Sequence, residues 1–323
     1  MDSEITIKVY HGFGHAGNCT VYGHVLAGKA AVRHKYTRNI LTNIIQLIKL
    51  FFVHPLPGRK VQLTWQNRQY ESVTEKDGFF KFNFIPGEKL AAGWHTVTVQ
   101  LINGTDEAAS KADGSFYVPH ATQYAFVSDI DDTVLISHSA TRLKRLVLLL
   151  TKNPRRRKAF ADVVTHYQLL SRSHTNPATP NPFFYVSSSE WNLYDDLKEF
   201  FRHNGFPEGV FLLSEIKNWY QLLQTGKTKH GGKLLRIVRL LEAFPLQKFV
   251  LFGDNSQSDP EIYSVIANRY PQNITAIYIR NIHTRHLVRS EEWMTAINNK
   301  SIHTFIFESN DEAIGHSRKI GLI

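Results

Sequence analysis

Three carboxylates lie within four residues in the stretch FVSDIDDTVL, at Asp129, Asp131 and Asp132, directly after a short apolar run. Carboxylates this close raise one another's pKa and destabilise a fold unless a cation lies between them. Thr133 completes a D-x-D-x-T pattern. This pattern alone is a weak signal, because an acidic turn or a helix N-cap cluster has the same composition. Its meaning depends on the residues that follow along the chain.

Further polar residues follow apolar stretches at three later points. Ser187 ends FFYVS, Lys233 opens the helix-like GGKLLRI, and the last two, Asp254 and Asp259, lie in LFGDNSQSD. A hard divalent cation with oxygen ligands offsets the repulsion between carboxylates, and Mg²⁺ prefers few carboxylates together with waters and a substrate phosphate oxygen. A serine hydroxyl and a lysine ammonium can hold the remaining phosphate oxygens as charge develops. Together these residues indicate phosphoryl-transfer chemistry with Mg²⁺ as the cofactor.

The elements that must position these residues are read from the second part of the chain. Apolar strand-like runs occur at YAFVS and at residues 182–187, 209–214, 248–254, 274–280 and 303–307, with amphipathic helix-like segments between several of them. Such alternation indicates an α/β domain with a mostly parallel sheet. Ligands of these sheets bind at the carboxyl ends of the strands. The candidate residues fall at those ends.

The first part of the chain, to about Pro119, has a different pattern. Short runs rich in β-branched and aromatic residues occur at TVYGHVLAG, KVQLTWQ, FFKFNF and HTVTVQLI. Turn signals lie between them, KDG at 76–78 and NG at 103–104. We therefore predict two domains, a small antiparallel β-sandwich over residues 1–119 and the α/β domain over residues 120–323.

Composition limits the compartment and the partner. One cysteine, Cys19, excludes an internal disulfide framework and fits a reducing compartment. The start MDSEITIKVY does not resemble a signal peptide, and no apolar run reaches the roughly 20 residues of a membrane span. We expect a cytoplasmic protein, with peripheral membrane attachment left open. The net charge of +10 suggests an anionic partner, for which nucleic acid, anionic lipid and a phosphate-bearing substrate fit equally well.

The order of the motifs resembles the haloacid dehalogenase phosphatase superfamily. Its four motifs are matched by Asp129/Asp131, Ser187, Lys233 and Asp254/Asp259. A closer resemblance is to the phosphatidate phosphatases of the actin-patch-protein type, which share D-x-D-x-T with lipins. It is carried by SDIDDTV, FYVSSSEWNLYDDL, the FP of EAFP and FVLFGDNSQSDPEIY, and in the first part by YGHVLAG, EKDGFFKF and GWHTVTV. The resemblance implies a Rossmann-like, haloacid-dehalogenase-type sheet behind a β-rich leader.

The same resemblance implies roles for the site residues. Asp129 would be the nucleophile that forms an aspartyl-phosphate, and Asp131 the general acid and base. Mg²⁺ would be held by Asp129, the backbone carbonyl of Asp131, and Asp254, while Asp259 would be a ligand or orient a water. Ser187 would bind the substrate phosphate together with the third-motif lysine. Asp132 would take no part.

The implied reaction is hydrolysis of phosphatidate, an anionic phospholipid at a membrane surface, to diacylglycerol and phosphate. Two alternatives remain open at this point. One keeps the chemistry and replaces the lipid by a soluble phosphorylated metabolite or a nucleic-acid end, although nucleic acid is the less favoured partner. The other is an adaptor protein whose catalytic domain is vestigial. Complete motifs argue against the adaptor.

Two departures from the family pattern bear on the site. Glu190 stands where the family usually has a proline, and a negative charge at that helix start could weaken phosphate binding. The family commonly has His-Lys before the third-motif helix, whereas this chain has His230-Gly-Gly-Lys233. Counting from the following FP selects Lys233. Lys227 and Lys229 remain alternatives.

Two segments rich in apolar residues bear on membrane contact. One is also strongly basic, and the other has its apolar residues at helical spacing. Residues 141–160 contain eight basic residues, no acidic one and a central LVLLL. They are either a lid, inserted near 137–160, that lies on a bilayer, or a helix that packs on the domain. Residues 38–55 carry apolar residues at helical spacing and end at Pro55. We favour docking of this helix onto the catalytic domain over membrane contact.

Overall fold

The computed structural model describes residues 4–28, 39–86, 90–102, 110–131, 133–134, 155, 159–160, 162–215 and 229–323. The first part contains β1 (Ile5–His15), β2 (Asn18–Ala27), α1 (Ile40–Phe51), β3 (Lys60–Trp65), β4 (Arg68–Val73), β5 (Phe79–Phe84), β6 (Gly93–Leu101) and β7 (Lys111–Val118). The second contains β8 (Tyr124–Asp129), α2 (Val163–Arg172), β9 (Phe183–Glu190), α3 (Tyr194–Asn204), β10 (Gly209–Ser214), α4 (Lys229–Ala243), β11 (Lys248–Asp254), α5 (Asp259–Arg269), β12 (Ile274–Arg280), α6 (Leu287–Thr295), β13 (His303–Phe307) and α7 (Asn310–Lys319).

Strands β1 to β7 form one seven-stranded sheet in the order β4-β3-β6-β7-β1-β2-β5. In β3 and β5 every second side chain enters the core, whereas β2 is buried from Cys19 to Leu26. All neighbouring strands are antiparallel except β1 and β7, which pair in parallel through Gly12 and Phe13. The predicted strands are confirmed, whereas the purely antiparallel arrangement is not, because of this one parallel pair.

This sheet curls until its two edge strands approach each other. Ser72 Oγ on β4 donates to Lys81 O on β5 at 2.9 Å, and Tyr70 Oη donates to Ile85 O at 3.1 Å. Side chains therefore join the edges without a further backbone ladder. The interior is a separate hydrophobic core that includes Val21 among its fully buried residues. The result is closer to a barrel than to the expected sandwich of two sheets.

Strands β8 to β13 form a six-stranded sheet in the order β10-β9-β8-β11-β12-β13, and each pair of neighbours is parallel. Strands buried on both faces are expected to be apolar along their whole length, which is why the sequence showed them as continuous runs. The predicted α/β class with a parallel sheet is confirmed. The change from one sheet to the other falls between Val118 and Tyr124, while the division into domains 1–119 and 120–323 stays a prediction.

The two sheets share one continuous core, built largely from aromatic rings. Tyr10 on β1 stacks on Trp191 with ring centroids 4.2 Å apart. Phe13, also on β1, contacts Phe184 on β9 at 5.8 Å and Phe244 at 5.7 Å, measured between ring centroids. The contact between the two parts is therefore a packed apolar interface.

Helix α1 has two apolar faces. Leu47, Leu50 and Phe51 are buried in the shared core, and Asn192 Nδ2 donates to Leu50 O at 2.8 Å. The structure thus contains the helix predicted from the sequence, and this helix docks against the catalytic part, as we favoured. The opposite face carries four exposed apolar side chains, Leu41, Ile45, Ile48 and Phe52. None of the helices within the described ranges is both long and apolar enough to cross a membrane.

The predicted lid at 137–160 lies outside the described residues except at Arg155, Ala159 and Phe160. Arg155 Nε donates to Glu199 Oε1 on α3 at 2.5 Å. The Phe160 ring lies under the guanidinium of Arg280, 4.2 Å from its carbon to the ring centroid. These contacts attach the end of the segment to the catalytic part and leave the lid itself a prediction.

Candidate active site

The candidate residues meet at the carboxyl edge of the parallel sheet. Asp129 ends β8 and Asp254 ends β11, and these two strands are hydrogen-bonded neighbours. Asp259 begins α5, and Lys233 lies in the first part of α4. Ser187 lies near the end of β9, the other neighbour of β8. Parallel pairing therefore gathers residues that are far apart in sequence at one end of the sheet.

A buried lysine connects the carboxylates. Lys233 Nζ lies 2.6 Å from Asp129 Oδ1 and also forms an ion pair with Asp259 Oδ1. Oxygens of Asp129, Asp254 and Asp259 all lie within 4.8 Å of one another. The three carboxylates and the ammonium are almost completely excluded from solvent. One cation thus stands against three carboxylates in a buried cluster.

The second aspartate of the motif is held by the serine. Ser187 Oγ donates to Asp131 Oδ2 at 3.0 Å, and the backbone N–H of Ser189 donates to Ser187 Oγ at 2.9 Å. Ser187 Oγ also lies 3.0 Å from Ser189 Oγ, so the single hydroxyl proton of Ser187 has two acceptors within reach. Asp131 and Ser187 are both buried. The structure brings these two predicted residues together beside Asp129.

Asp254 is oriented by three groups. Thr133 Oγ1 donates to Asp254 Oδ2 at 3.4 Å, and the backbone N–H of Ser256 donates to Asp254 Oδ1 at 2.5 Å. The backbone N–H of Asp254 in turn donates to Asp259 Oδ2 at 3.3 Å. The threonine of the D-x-D-x-T pattern therefore connects the first loop to the loop after β11. Both oxygens of Asp259 accept bonds, one from Lys233 and one from the Asp254 backbone.

Burial and like charge change the proton affinities in this cluster. Burial raises the pKa of Asp129 well above its usual range, Lys233 opposes this, and the neighbouring Asp259 and Asp254 add to it. Burial together with Asp259 raises the pKa of Asp254 to about 7. Burial alone would lower the pKa of Lys233, but the adjacent carboxylates of Asp129 and Asp259 outweigh it and raise that pKa. Fully ionised, the three carboxylates would carry more negative charge than the one lysine neutralises, and the raised pKa values of Asp129 and Asp254 reflect this.

The donor set fits a hard divalent cation. Asp129 Oδ2 is buried and has no hydrogen-bond partner within the described part of the chain. Carboxylate oxygens are the ligands that Mg²⁺ prefers, and an added cation would remove both the unsatisfied oxygen and the excess negative charge. Asp129, Asp254 and Asp259 each offer one oxygen to such an ion.

Two residues of the site were not found from the sequence. Gly253 precedes Asp254, and a Cβ at Gly253 would lie 2.5 Å from Asp259 Oδ2, so only glycine permits this approach. Arg236 Nη2 donates to Ser187 O at 3.2 Å. Its position three residues after Lys233, on the same helix face, was the available signal.

The remaining residues named from the sequence are only partly described by the structure or lie outside the cluster. Asp132 and Lys227 lie outside the described residues, and for Lys229 only the backbone is described. Glu190 is the last residue of β9 and precedes a short 3₁₀ turn at Trp191–Leu193, so α3 does not begin there.

Comparison with known proteins bears on this region. Residues 124–281 match the family model described as the catalytic domain of phosphatidate phosphatase APP1. Over this span, just under half of the chain, the protein is similar to that catalytic domain. The resemblance stated from the sequence motifs is therefore confirmed, and all the site residues named above lie within the matched span.

Two curated proteins are similar to parts of the chain. Phosphatidate phosphatase APP1 of Saccharomyces cerevisiae is 34% identical over 120 residues, which cover 36% of this chain and 20% of that protein. An uncharacterized protein of Schizosaccharomyces pombe is 24% identical over 219 residues, 66% of this chain and 35% of that protein. The matched regions thus span only about a fifth and a third of the length of these two proteins.

Among solved structures, a carbohydrate acetylesterase from Xanthomonas citri covers 96% of this chain and 72% of its own, at 9% identity and a TM-score of 0.37. A similarity this low supports no statement about the fold or the activity of this chain.

Proposed function

We propose that this chain is a Mg²⁺-dependent phosphomonoester phosphatase that hydrolyses phosphatidate to diacylglycerol and phosphate. The observation that carries the proposal is Asp129 Oδ2, a buried carboxylate oxygen without a partner among the described residues. It lies in a cluster with Lys233, Asp254 and Asp259, inside the span that matches the APP1 catalytic domain. A carboxylate oxygen kept free at the end of a parallel strand is suited to attack phosphorus.

The proposal includes a haloacid-dehalogenase-type arrangement of the sheet. The strand of the nucleophile, β8, lies between β9 and β11, and these three strands carry the motif residues Asp129, Ser187 and Asp254 at their carboxyl ends. Lys233 reaches the same edge from α4. The spatial order supports the assignment of all four motifs.

The first half of the reaction is transfer of the phosphoryl group to the enzyme. Asp129 attacks phosphorus, a carboxylate oxygen–phosphorus bond forms, and the bond from phosphorus to the ester oxygen breaks. Asp131 donates its proton to the leaving alkoxide. Its position is fixed for this role by the hydrogen bond from Ser187 Oγ. Lys233 neutralises charge on the phosphate oxygens as it develops.

The second half returns Asp129 to its free state. Asp131, now ionised, removes a proton from a water, and that water attacks phosphorus and breaks the bond to Asp129. Phosphate leaves, and Asp131 is again protonated. A bound Mg²⁺ would supply charge neutralisation for the phosphate oxygens, held by Asp129, Asp254 and the Asp131 carbonyl. Asp259 accepts hydrogen bonds from Lys233 and from the Asp254 backbone, and we assign it to positioning these two residues.

Phosphatidate is favoured over a soluble substrate for two reasons. The APP1-type match concerns a phosphatidate phosphatase, and residues 141–160 combine eight cations with LVLLL. Basic and apolar residues together favour attachment to an anionic membrane surface. We therefore place the protein in the cytoplasm with peripheral attachment to membranes.

The test is phosphate release from a panel of lipid and soluble phosphomonoesters, in Mg²⁺ and in EDTA. Asp129→Asn removes the nucleophile, so we expect a loss of roughly 10³-fold or more in kcat. Asp311→Asn, at an exposed position on α7, is the matched control and should retain activity. We expect EDTA to abolish release.

Three results would contradict parts of the proposal. Unchanged release by Asp129→Asn would refute the catalytic assignment, and absence of release from every substrate would favour an adaptor. A protein that ignores phosphatidate vesicles at low salt yet hydrolyses soluble phosphomonoesters well would refute the lipid substrate.

A further inference from the structure

A cavity of about 840 Å³ lies between the curled sheet and the catalytic part. We call it the interdomain cleft. Its walls come from β1, β2 and β5 on one side and from Trp191, the end of β10 and α4 on the other. Phe13, Phe79 and Leu212 give it an apolar lining. Its position on the shared interface means that both parts of the molecule are needed to form it.

Arg236 joins this cleft to the active site. Its side chain lines the cleft, and its Nη2 donates to the carbonyl oxygen of Ser187 at 3.2 Å. Burial lowers the pKa of Arg236 to about 10, and the charge of Asp129 opposes that change. A group that contacts Arg236 in the cleft is therefore separated from a phosphate held at Ser187 by this one side chain.

Two polar groups on the cleft wall lack partners. Arg236 Nε is buried and has no acceptor in the described ranges, and the buried hydroxyl of Tyr22 likewise has no partner there. Tyr22 also lines the cleft. Buried polar groups without partners are rare and destabilising, so each one calls for an explanation. Here both could be satisfied by oxygen atoms of a ligand.

The charges of the cleft disfavour a second anion as that ligand. Three described cations line it, Lys81, Arg236 and Arg239. Four described carboxylates line it as well, Glu75, Asp77, Glu215 and Glu242. The described lining therefore carries no excess of positive charge. Combined with the aromatic and leucine walls, it suits a neutral ligand that has oxygen acceptors and aliphatic chains.

We propose that the interdomain cleft binds the neutral, ester-bearing leaving group of the substrate, with the Arg236 guanidinium donating to an ester carbonyl. The proposal rests on the proposed function and names the part of the substrate that the cleft recognises. A diacylglycerol moiety has two ester carbonyls close to the phosphorylated carbon and two acyl chains. The carbonyls lie within reach of Arg236, and the first part of the chains lies against Phe13, Phe79 and Leu212.

The first experiment measures binding without turnover. Dihexanoylglycerol, used below its micellar concentration, is titrated into the wild-type protein and three variants by calorimetry. Ala243→Phe places a ring in the cleft, since Ala243 lines it, and Arg236→Met removes the donor. Ala296→Phe, at an exposed residue that ends α6, is the matched control. Melting curves verify that each variant is folded.

We expect saturable binding to the wild-type protein, weakened about tenfold by Ala243→Phe and about fivefold by Arg236→Met, and unchanged by Ala296→Phe. A fivefold loss for Arg236→Met is about 1 kcal/mol, which is the net contribution of one typical hydrogen bond. Absence of binding to the wild-type protein, or equal binding by all four proteins, overturns the proposal. Displacement of the lipid by inorganic phosphate added in competition, with no effect of Ala243→Phe, would also overturn it.

The second experiment separates this proposal from the proposed function. kcat/KM is measured for dihexanoyl phosphatidate and for p-nitrophenyl phosphate, whose leaving group has no ester. We expect the lipid-to-small-substrate ratio to fall at least fivefold in Ala243→Phe. An equal loss for both substrates refutes the cleft as leaving-group site while the phosphatase activity stands. Absence of turnover in the wild-type protein refutes the phosphatase, and the cleft is then decided by dihexanoylglycerol binding.

Discussion

Two lysine–aspartate pairs of the same length lie in different regions of the molecule. In the active site, Lys233 Nζ lies 2.6 Å from Asp129 Oδ1, and the side chains are 6% and 2% exposed. Between the two sheets, Lys8 Nζ lies 2.6 Å from Asp195 Oδ2, and the side chains are 15% and 40% exposed. Since the distances are equal, solvent access distinguishes the two pairs.

The difference in solvent access shows that charged groups are stabilised differently in the active site and in the interface. In the active site, burial prevents water from solvating the carboxylates, so loss of the single cation would leave them uncompensated. In the interface, water screens Asp195, and the titratable groups that are buried there are kept neutral. Burial lowers the pKa of His24 to about 3 and that of His11 to about 4. The active site therefore gathers carboxylates that need a cation when they are ionised, whereas the interface keeps its buried histidines neutral.

The largest effect on stability is expected from Lys233→Met. Removal of one partner of a buried charge pair costs about 3–5 kcal/mol. We expect this loss in the free energy of unfolding in EDTA, measured by urea titration, and a smaller loss in Mg²⁺, because the ion can take over the role of the lysine. Lys248→Met is the control, since Lys248 is exposed and bonds only to Gln272 O among the described groups. Equal stability of Lys233→Met and the wild-type protein would refute this account of the cluster.

The next effect is steric and concerns the same cluster. Gly253→Ala would place a Cβ 2.5 Å from Asp259 Oδ2 and 2.8 Å from the Tyr263 ring. Overpacking of this kind costs about 1–3 kcal/mol, and the displaced Asp259 should lower kcat by about 100-fold. Gly315→Ala is a matched control in α7, because nothing lies within 4 Å of its added Cβ. We expect it to keep activity and to stabilise the helix slightly. Full activity of Gly253→Ala would mean that Asp259 need not be held where it is.

The third prediction uses the neutral histidines of the interface. His24 lies 3.0 Å from Tyr10 Oη through Nδ1, and its pKa is lowered first by burial and then by the charge of Lys8. The unfolded chain binds a proton near pH 6.5 and the folded chain only near pH 3, so this histidine stabilises the fold above pH 6.5. That contribution is lost as the pH falls toward 3, by up to about 1.4 kcal/mol per pH unit.

The measurement is the free energy of unfolding between pH 7 and pH 5. We expect His24→Leu to have a shallower decrease with acidification than the wild-type protein, whatever its absolute stability. His303→Gln, at an exposed position, should leave the slope as in the wild type. An unchanged slope for His24→Leu would show that this histidine is not kept neutral in the folded state.

The neighbourhood of the active-site residues could be predicted from the sequence, whereas the interdomain cleft could not. Strands of a parallel sheet are buried on both faces, so β9 and β11 stood out as apolar runs with a polar residue at the end. Their ends had to meet, which predicted the neighbourhood of Asp129, Ser187 and Asp254. The interdomain cleft could not be predicted, because it depends on how the curled sheet is placed relative to Trp191 and α4. Nothing in the local pattern indicates that Tyr22 faces the helix of Arg236.

The smallest effect is expected at the interface pair of Lys8 and Asp195, and it tests whether burial distinguishes this pair from Lys233 and Asp129. Asp195→Asn removes the partner of Lys8, but exposed pairs contribute only about 0.2–1 kcal/mol. We expect a loss within that range at low ionic strength and none in 1 M salt, where the screening length is about 3 Å. Urea titrations at both ionic strengths measure it. If Asp195→Asn cost as much as Lys233→Met and the loss persisted in high salt, burial would not be what separates the two pairs. Charge pairing itself, not exclusion of water, would then stabilise both regions.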